Sequence, residues 1–197
     1  MRHSKFEKAL ALLLPLPSFT VDDAEEQGIS RQALAYFANK GILERLSPGV
    51  YRSTSYEVQV GFEWEGLAEV AASIPDGVIC LISALSYHQL TDQVMRESWI
   101  AVPHHLRAPR RANTRIIRMR NISLGQIKMM LGEYSVRIFD RERSVVDAFR
   151  YLSKEIAIKA LQHYLRSKEH KPDLKKLQEY AKKLRVNLVP YILAYTT

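Results

Sequence analysis

The chain has a single cysteine, Cys80, and it lies inside the apolar run GVICLIS. A disulfide needs two thiols and a thiolate metal site needs several, so both are excluded and a reducing compartment suits the sequence. Long uncharged apolar segments are lacking as well. The nearest approach is ALALLL, residues 9–14, which Pro15 and Pro17 stop; Glu7 stands among the basic residues ahead of it, and no small-residue cleavage site follows. The expectation is a cytoplasmic chain, neither exported nor membrane-spanning. There is no glycine-rich phosphate loop, no nucleophile motif and no helical metal pair, since His104 and His105 are adjacent and no acid-rich motif accompanies them. His88, in SYHQL, reads as a half-buried packing residue. Asp140, Glu142 and Asp147 have Arg141, Arg143 and Arg150 within a helical turn, so local ion pairing accounts for them without an active site. No enzyme activity, cofactor or metal is expected.

What the chain does have is a core-forming composition, 47% hydrophobic over 197 residues, which allows one or two domains. It also has excess positive charge, +8 in all, which points to an anionic partner. That charge is unevenly placed. Residues 1–55 are nearly neutral at +1, residues 56–100 carry −6, residues 101–143 carry +7 and residues 144–197 carry +6.

The N-terminal residues spell out three short helices and a hairpin. In SKFEKALALLL, residues 4–14, Phe6, Ala9, Leu10 and Leu13 fall at helical spacing until Pro15. Thr20 opens TVDDAEEQG with a hydroxyl cap, an acid three residues on and a further set of carboxylates, and Gly28 closes it. Ser30 caps SRQALAYFANKG, whose apolar stripe is Leu34, Phe37 and Ala38 and whose stop is Gly41. The positions left facing outward are Arg31, Gln32, Ala35, Tyr36, Asn39 and Lys40. Then ILERL and VYR read as strands around the SPGV turn, with SFT as a candidate third strand. Two helices joined by a glycine turn and followed by a β-hairpin make a winged helix-turn-helix. Its second helix can lie in the major groove, where Arg31 suits guanine and Gln32 suits adenine. The predicted DNA-binding residues are Ser30, Arg31, Gln32, Tyr36, Asn39 and Lys40, with Arg45 and Arg52 on the wing beside phosphates.

A linker is expected near residues 53–62, followed by a helix from Glu63 with Leu67, Val70 and Ala71 inward, and by a second helix capped by Ser83. SWIAVP, TRIIRMR and EYSVRIFD read as strands, Asp140 caps a helix burying Val145, Val146 and Phe149, and the remainder is helical. Between Arg107 and Arg120 lie six arginines and no acid: Arg107, Arg110, Arg111, Arg115, Arg118 and Arg120. Two readings stand for this patch: a solvated loop leading to a charge-guarded edge strand, or a surface that contacts phosphates or a partner.

ISRQALAYFANKGILERLSPGVYR resembles the N-terminal winged-helix domain of the AbiEi family, the antitoxins of type IV toxin–antitoxin systems. LISALSYHQLTDQ, WIAVP and VRIFDRERSVVDAFRYL are similar to the same family's antitoxin domain. The fold that follows is α+β: a winged helix-turn-helix over residues 1–55, then a mixed α/β antitoxin domain over residues 63–197 that ends in a helical bundle. The resemblance implies repression of the chain's own operon through double-stranded operator DNA, with inverted repeats as the expected form of the target. It also implies neutralisation of a nucleotidyltransferase-like toxin, with or without direct contact. Two other readings remain: a winged-helix repressor whose C-terminal region only dimerises or senses a ligand, and an RNA-associated enzyme that uses the arginine patch.

Overall fold

A computed structural model describes residues 3–16, 18–56, 64–107 and 110–196. The expected linker near residues 53–62 lies in part outside the described residues. The chain divides into two compact units, Met1–Pro75 with Pro109–Ala112 and Met130–Ser135, and Asp76–Ala108 with Asn113–Met129 and Val136–Thr197. The architecture is α+β, a winged helix-turn-helix followed by a mixed α/β region that ends in helices.

The first unit begins with α1 (His3–Leu13), β1 (Phe19–Thr20), α2 (Val21–Glu26) and α3 (Arg31–Asn39). It continues through β2 (Leu43–Ser47), β3 (Val50–Ser53) and α4 (Glu65–Ala72). Its core is Leu10, Leu13, Phe19, Ala24, Ile29, Leu34, Leu43 and Tyr51, so each of α1, α2 and α3 contributes its apolar stripe. SFT supplies the third strand: β1 pairs antiparallel with β3, which pairs antiparallel with β2. In α4 the buried residues are Leu67, Ala68 and Ala71, with Val70 only half-buried.

The second unit builds its five-stranded sheet from β4 (Val78–Ile79), β5 (Ser98–Pro103), β6 (Thr114–Met119), β7 (Gln126–Leu131) and β8 (Tyr134–Phe139), the last two reaching into residues grouped with the first unit. Their order is β6-β5-β4-β8-β7, with β4 parallel to β8 and β5 parallel to β6. Helix α5 (Leu81–Tyr87) follows β4, and α6 (Arg141–Tyr151), α7 (Lys154–Arg166), α8 (Leu174–Lys183) and α9 (Val189–Thr196) close the chain. These helices share one core, which includes Leu85, Val145, Val146, Ala160, Leu161, Tyr164, Leu177 and Ile192.

Ser83 does not cap a helix. The cap of α5 is Cys80, three residues earlier, and Ser83 is buried within the helix, where its hydroxyl accepts from the Trp99 amide at 2.9 Å and donates to the Met95 sulfur at 3.1 Å. A buried hydroxyl needs partners more than a helix end needs this one, and β5 and the segment before it supply them. The carboxylates of α6 also divide differently from the local pairing expected. Asp147 does pair with Arg143 at 2.7 Å and Arg150 at 2.6 Å. Asp140 and Glu142 are instead met by Lys176 of α8, at 3.0 Å each, while Arg141 donates to the His170 carbonyl at 3.2 Å.

Arg143 is fully buried and makes contacts in every direction. Besides Asp147, it donates to the carbonyls of Asn121 at 2.8 Å and Leu124 at 2.7 Å, and its guanidinium lies 4.4 Å from the centre of the Phe139 ring. The turn it holds requires glycine: Gly125 has φ +71°, and a Cβ there would stand 2.6 Å from the Cβ of Arg143. His88 is another anchored polar group, its Nε2 2.7 Å from the Phe139 carbonyl.

Removing one partner of a buried pair costs about 3–5 kcal/mol. Arg143→Met should destabilise the protein by about that amount in urea unfolding, and adding Asp147→Asn should recover part of the stability. An effect below about 1 kcal/mol would contradict the anchoring role.

Acid should act through His88. Burial, with the nearby Arg141 charge, lowers the His88 pKa, against the raising effect of the Phe139 hydrogen bond. The unfolded ring takes up its proton as pH falls through about 6.5, whereas the folded ring resists it. The His88 contribution is therefore complete above about pH 6.5 and is lost as pH falls towards the folded pKa. His88→Gln keeps an amide donor without titrating, so its stability should fall less steeply from about pH 6.5 to 5 than the parent's. Identical slopes would assign the acid sensitivity elsewhere.

Candidate nucleic-acid interface

The helix-turn-helix is fixed by two side-chain caps and a left-handed glycine. Thr20 and Asp23 form a reciprocal capping box: the Thr20 amide donates to Asp23 Oδ2 at 2.7 Å and the Asp23 amide to Thr20 Oγ1 at 3.1 Å. Gly28, at φ +81°, turns the chain after α2, and the Ile29 amide returns to the Ala24 carbonyl at 2.8 Å. Ser30 then accepts from the Ala33 amide at 3.3 Å, so its hydroxyl serves the start of α3. Removing such a cap typically costs about 1 kcal/mol.

The hairpin after α3 is held to it. The Thr54 hydroxyl donates to the Gly41 carbonyl at 2.7 Å and its amide to the Ile42 carbonyl at 3.1 Å, tying the end of β3 to the stop of α3. The register of β2 against β3 shifts between Arg45 and Ser47, and Gly49 (φ +82°) closes the SPGV turn. A helix and a hairpin held in this way present one composite face.

On α3, Leu34 is buried, Phe37 and Ala38 pack against the core, and Arg31, Gln32, Ala35, Tyr36, Asn39 and Lys40 are exposed. Tyr36 keeps 52% of its surface exposed, and the Lys40 ammonium stands 5.8 Å from its ring centre. Arg31 Nε lies 3.1 Å from Glu25, an ion pair with both partners exposed. Such a pair is worth about 0–1 kcal/mol, less than the 1–3 kcal/mol of a bidentate contact to a base, so it leaves Arg31 free to exchange partners.

Arg31 and Arg45 line a groove of about 430 Å³ within this unit, together with Asp22 and Arg111. Arg111 is held there by Ser73, its Nε donating to Ser73 Oγ at 3.1 Å and a terminal nitrogen to the Ser73 carbonyl at 3.2 Å. Nothing in the residue spacing indicates that this arginine, far along the chain, shares a groove with the start of α3.

Arg52 requires a correction. Expected beside phosphates, its side chain is only 12% exposed and is engaged by Glu44 at 2.7 Å and Glu65 at 3.5 Å. The register that places Glu44 opposite Arg52 on neighbouring strands makes this pair. Burial raises the pKa of the neighbouring Glu69 and of Tyr134, and the Arg52 charge opposes both shifts. Arg52 is a structural cation of the wing.

The arginine-rich stretch is divided between the units. Arg110 and Arg111 group with the first, while Arg107, Arg115, Arg118 and Arg120 group with the second. Arg115 pairs with Glu97 at 2.8 Å and covers the Trp99 ring at 4.4 Å, whereas Arg107, Arg110, Arg118 and Arg120 are exposed. Among the described residues there is no group of three or more histidine, cysteine or carboxylate side chains placed to hold a metal, and no helix long and apolar enough to cross a membrane.

No curated protein matches the chain. Residues 17–54, which include β1, α2, α3 and both strands of the wing, match the family model described as transcriptional regulator, AbiEi antitoxin.

Proposed function

We propose that the chain is a DNA-binding antitoxin that represses its own operon. In this reading α3 enters the major groove of double-stranded operator DNA, with Arg31 and Gln32 at its leading end reading base edges. Tyr36, Asn39 and Lys40 continue the same face. Residues 1–55 form the reading module, and the region from residue 63 onward neutralises a nucleotidyltransferase-like toxin. The observation that carries the DNA reading is the exposed polar face of α3 beside a groove that Arg31, Arg45 and Arg111 line.

The groove also answers a difficulty of charge. Residues 1–55 are nearly neutral, yet an operator complex has to offset several phosphates. Arg111 brings a cation to the reading unit from the arginine-rich stretch, and Arg45 supplies another from the wing. Arg107, Arg110, Arg118 and Arg120 are further exposed cations for phosphates or for a partner.

Base-reading and phosphate-holding residues should separate in titrations on operator and random duplexes at several salt concentrations. Arg31→Ala with Gln32→Ala should lower discrimination between the two duplexes by about 1–3 kcal/mol for each bidentate base pairing removed. Arg45→Gln with Arg111→Gln should weaken binding to both duplexes alike and flatten the slope of log affinity against log salt by about 1.8, at about 0.9 per phosphate engaged. Wild-type selectivity in the first variant would remove α3 as the reading helix. An unchanged salt slope in the second would remove the groove from the interface.

Neutralisation is tested separately by co-expression with the gene beside this one. The parent chain should restore growth to cells carrying the toxin, and the Arg31→Ala, Gln32→Ala variant should restore it equally. Failure of the parent to protect would leave a repressor without antitoxin activity.

A further inference from the structure

The second unit contains a cleft that the DNA reading does not use. It has a volume of about 700 Å³ and lies where the ends of α5 and α7, the start of α6 and the loop after α7 meet. Its size falls within the range of small-molecule sites, about 300–1,000 Å³. Arg141, Arg166 and Lys168 all line it, against one carboxylate, Glu169. The carboxylates flanking Arg141 on the chain, Asp140 and Glu142, are both held by Lys176 at 3.0 Å and are not among the lining residues.

Arg141 is fixed in place. Its guanidinium donates to the His170 carbonyl at 3.2 Å and lies 5.4 Å from the Tyr164 ring centre. Its Nε is buried and has no hydrogen-bond partner among the described residues. The residue as a whole is half-buried and lines the cleft, so its charge is available to a ligand there. Arg166 and Lys168, by contrast, are exposed and free to close on a ligand. Gln89, on the rim, holds φ +55° as the residue that ends α5, with the Leu90 amide returning to the Leu85 carbonyl at 2.7 Å.

We infer that this cleft binds a phosphorylated small molecule, with its phosphate seated by Arg141, Arg166 and Lys168. Guanidinium forks match phosphate oxygens in pairs, and three cations around one cleft suit a group that carries close to two negative charges or more. A nucleotide and a free pyrophosphate both present that chemistry. The Tyr87 ring on the lining offers a nucleoside a stacking surface, and Gln162, whose amide nitrogen donates to the Tyr195 hydroxyl, keeps its amide oxygen as an acceptor.

Calorimetric titration of the full chain with ATP, pyrophosphate and adenosine tests the inference. ATP and pyrophosphate should bind and adenosine should not. ATP binding more tightly than pyrophosphate identifies a nucleotide as the ligand, and equal affinities identify the phosphate group alone. Arg166→Gln with Lys168→Gln changes two exposed side chains and should weaken binding by about tenfold for each cation removed, each tenfold being about 1.4 kcal/mol. Lys182→Gln, an exposed lysine outside the cleft, should leave it unchanged. Absence of heat with both anions at millimolar concentration would overturn the inference, as would equal binding of adenosine and ATP, or full affinity in the double variant.

Discussion

The second unit depends on a guanidinium removed from water. Arg143 stands at the start of α6, yet its side chain is turned inward to Asp147, to two carbonyls of the turn between β6 and β7, and to the Phe139 ring. Taking an ion out of water costs several kcal/mol, and only a full set of partners offsets that. The set is drawn from the end of β8, the turn before β7 and α6, so the charge fixes how strand, turn and helix meet. Other features are consequences of this arrangement. Gly125 is needed because a Cβ would strike Arg143, and its carbonyl accepts from the Asp140 amide at 2.8 Å, leaving the Asp140 carboxylate to cap α6 and to meet Lys176.

The first unit is built differently. It is set by caps and turns: the Thr20–Asp23 box, the Ser30 cap, three glycines at positive φ and the Thr54 tie. These local devices leave the outer face of α3 with only exposed contacts of its own, the Arg31–Glu25 pair and Lys40 beside Tyr36. That is the condition for a reading surface, because a side chain committed to the fold cannot also exchange its partner for a base. Arg52 illustrates the contrast, since its charge is taken up by Glu44 and Glu65, and the arginines that line the groove are the exposed Arg31 and Arg45 and the partly buried Arg111.

Most of the first unit was legible from local chemistry. Each of α2 and α3 has its own start and stop signals, and the order Thr20, Gly28, Ser30, Gly41 marks both helices before any tertiary contact is known. The outward face of α3 followed from the spacing of Leu34, Phe37 and Ala38. What escaped the sequence were relations across distance. Arg52 looked free because the partner that takes its charge sits on the neighbouring strand, and the strand register had to be known first. Ser83 looked like a cap because its need for partners inside the core is not a local property. The two-residue strand β4 is too short to show alternation, and β7 mixes exposed and half-buried residues without a clean period. The arginines between Arg107 and Arg120 form one run in the sequence, but their grouping belongs to the fold, and so does the cleft assembled from three separate segments.

Whether α3 and the groove beside it meet DNA is tested most directly by amide hydrogen exchange of the full chain, with and without a duplex carrying the region upstream of its own gene. Slowed exchange is predicted in residues 30–40, in the wing at 45–51 and at Arg111, with the helices from α6 onward unaffected. Exchange that slows only in the second unit, with residues 30–51 unchanged, would contradict it.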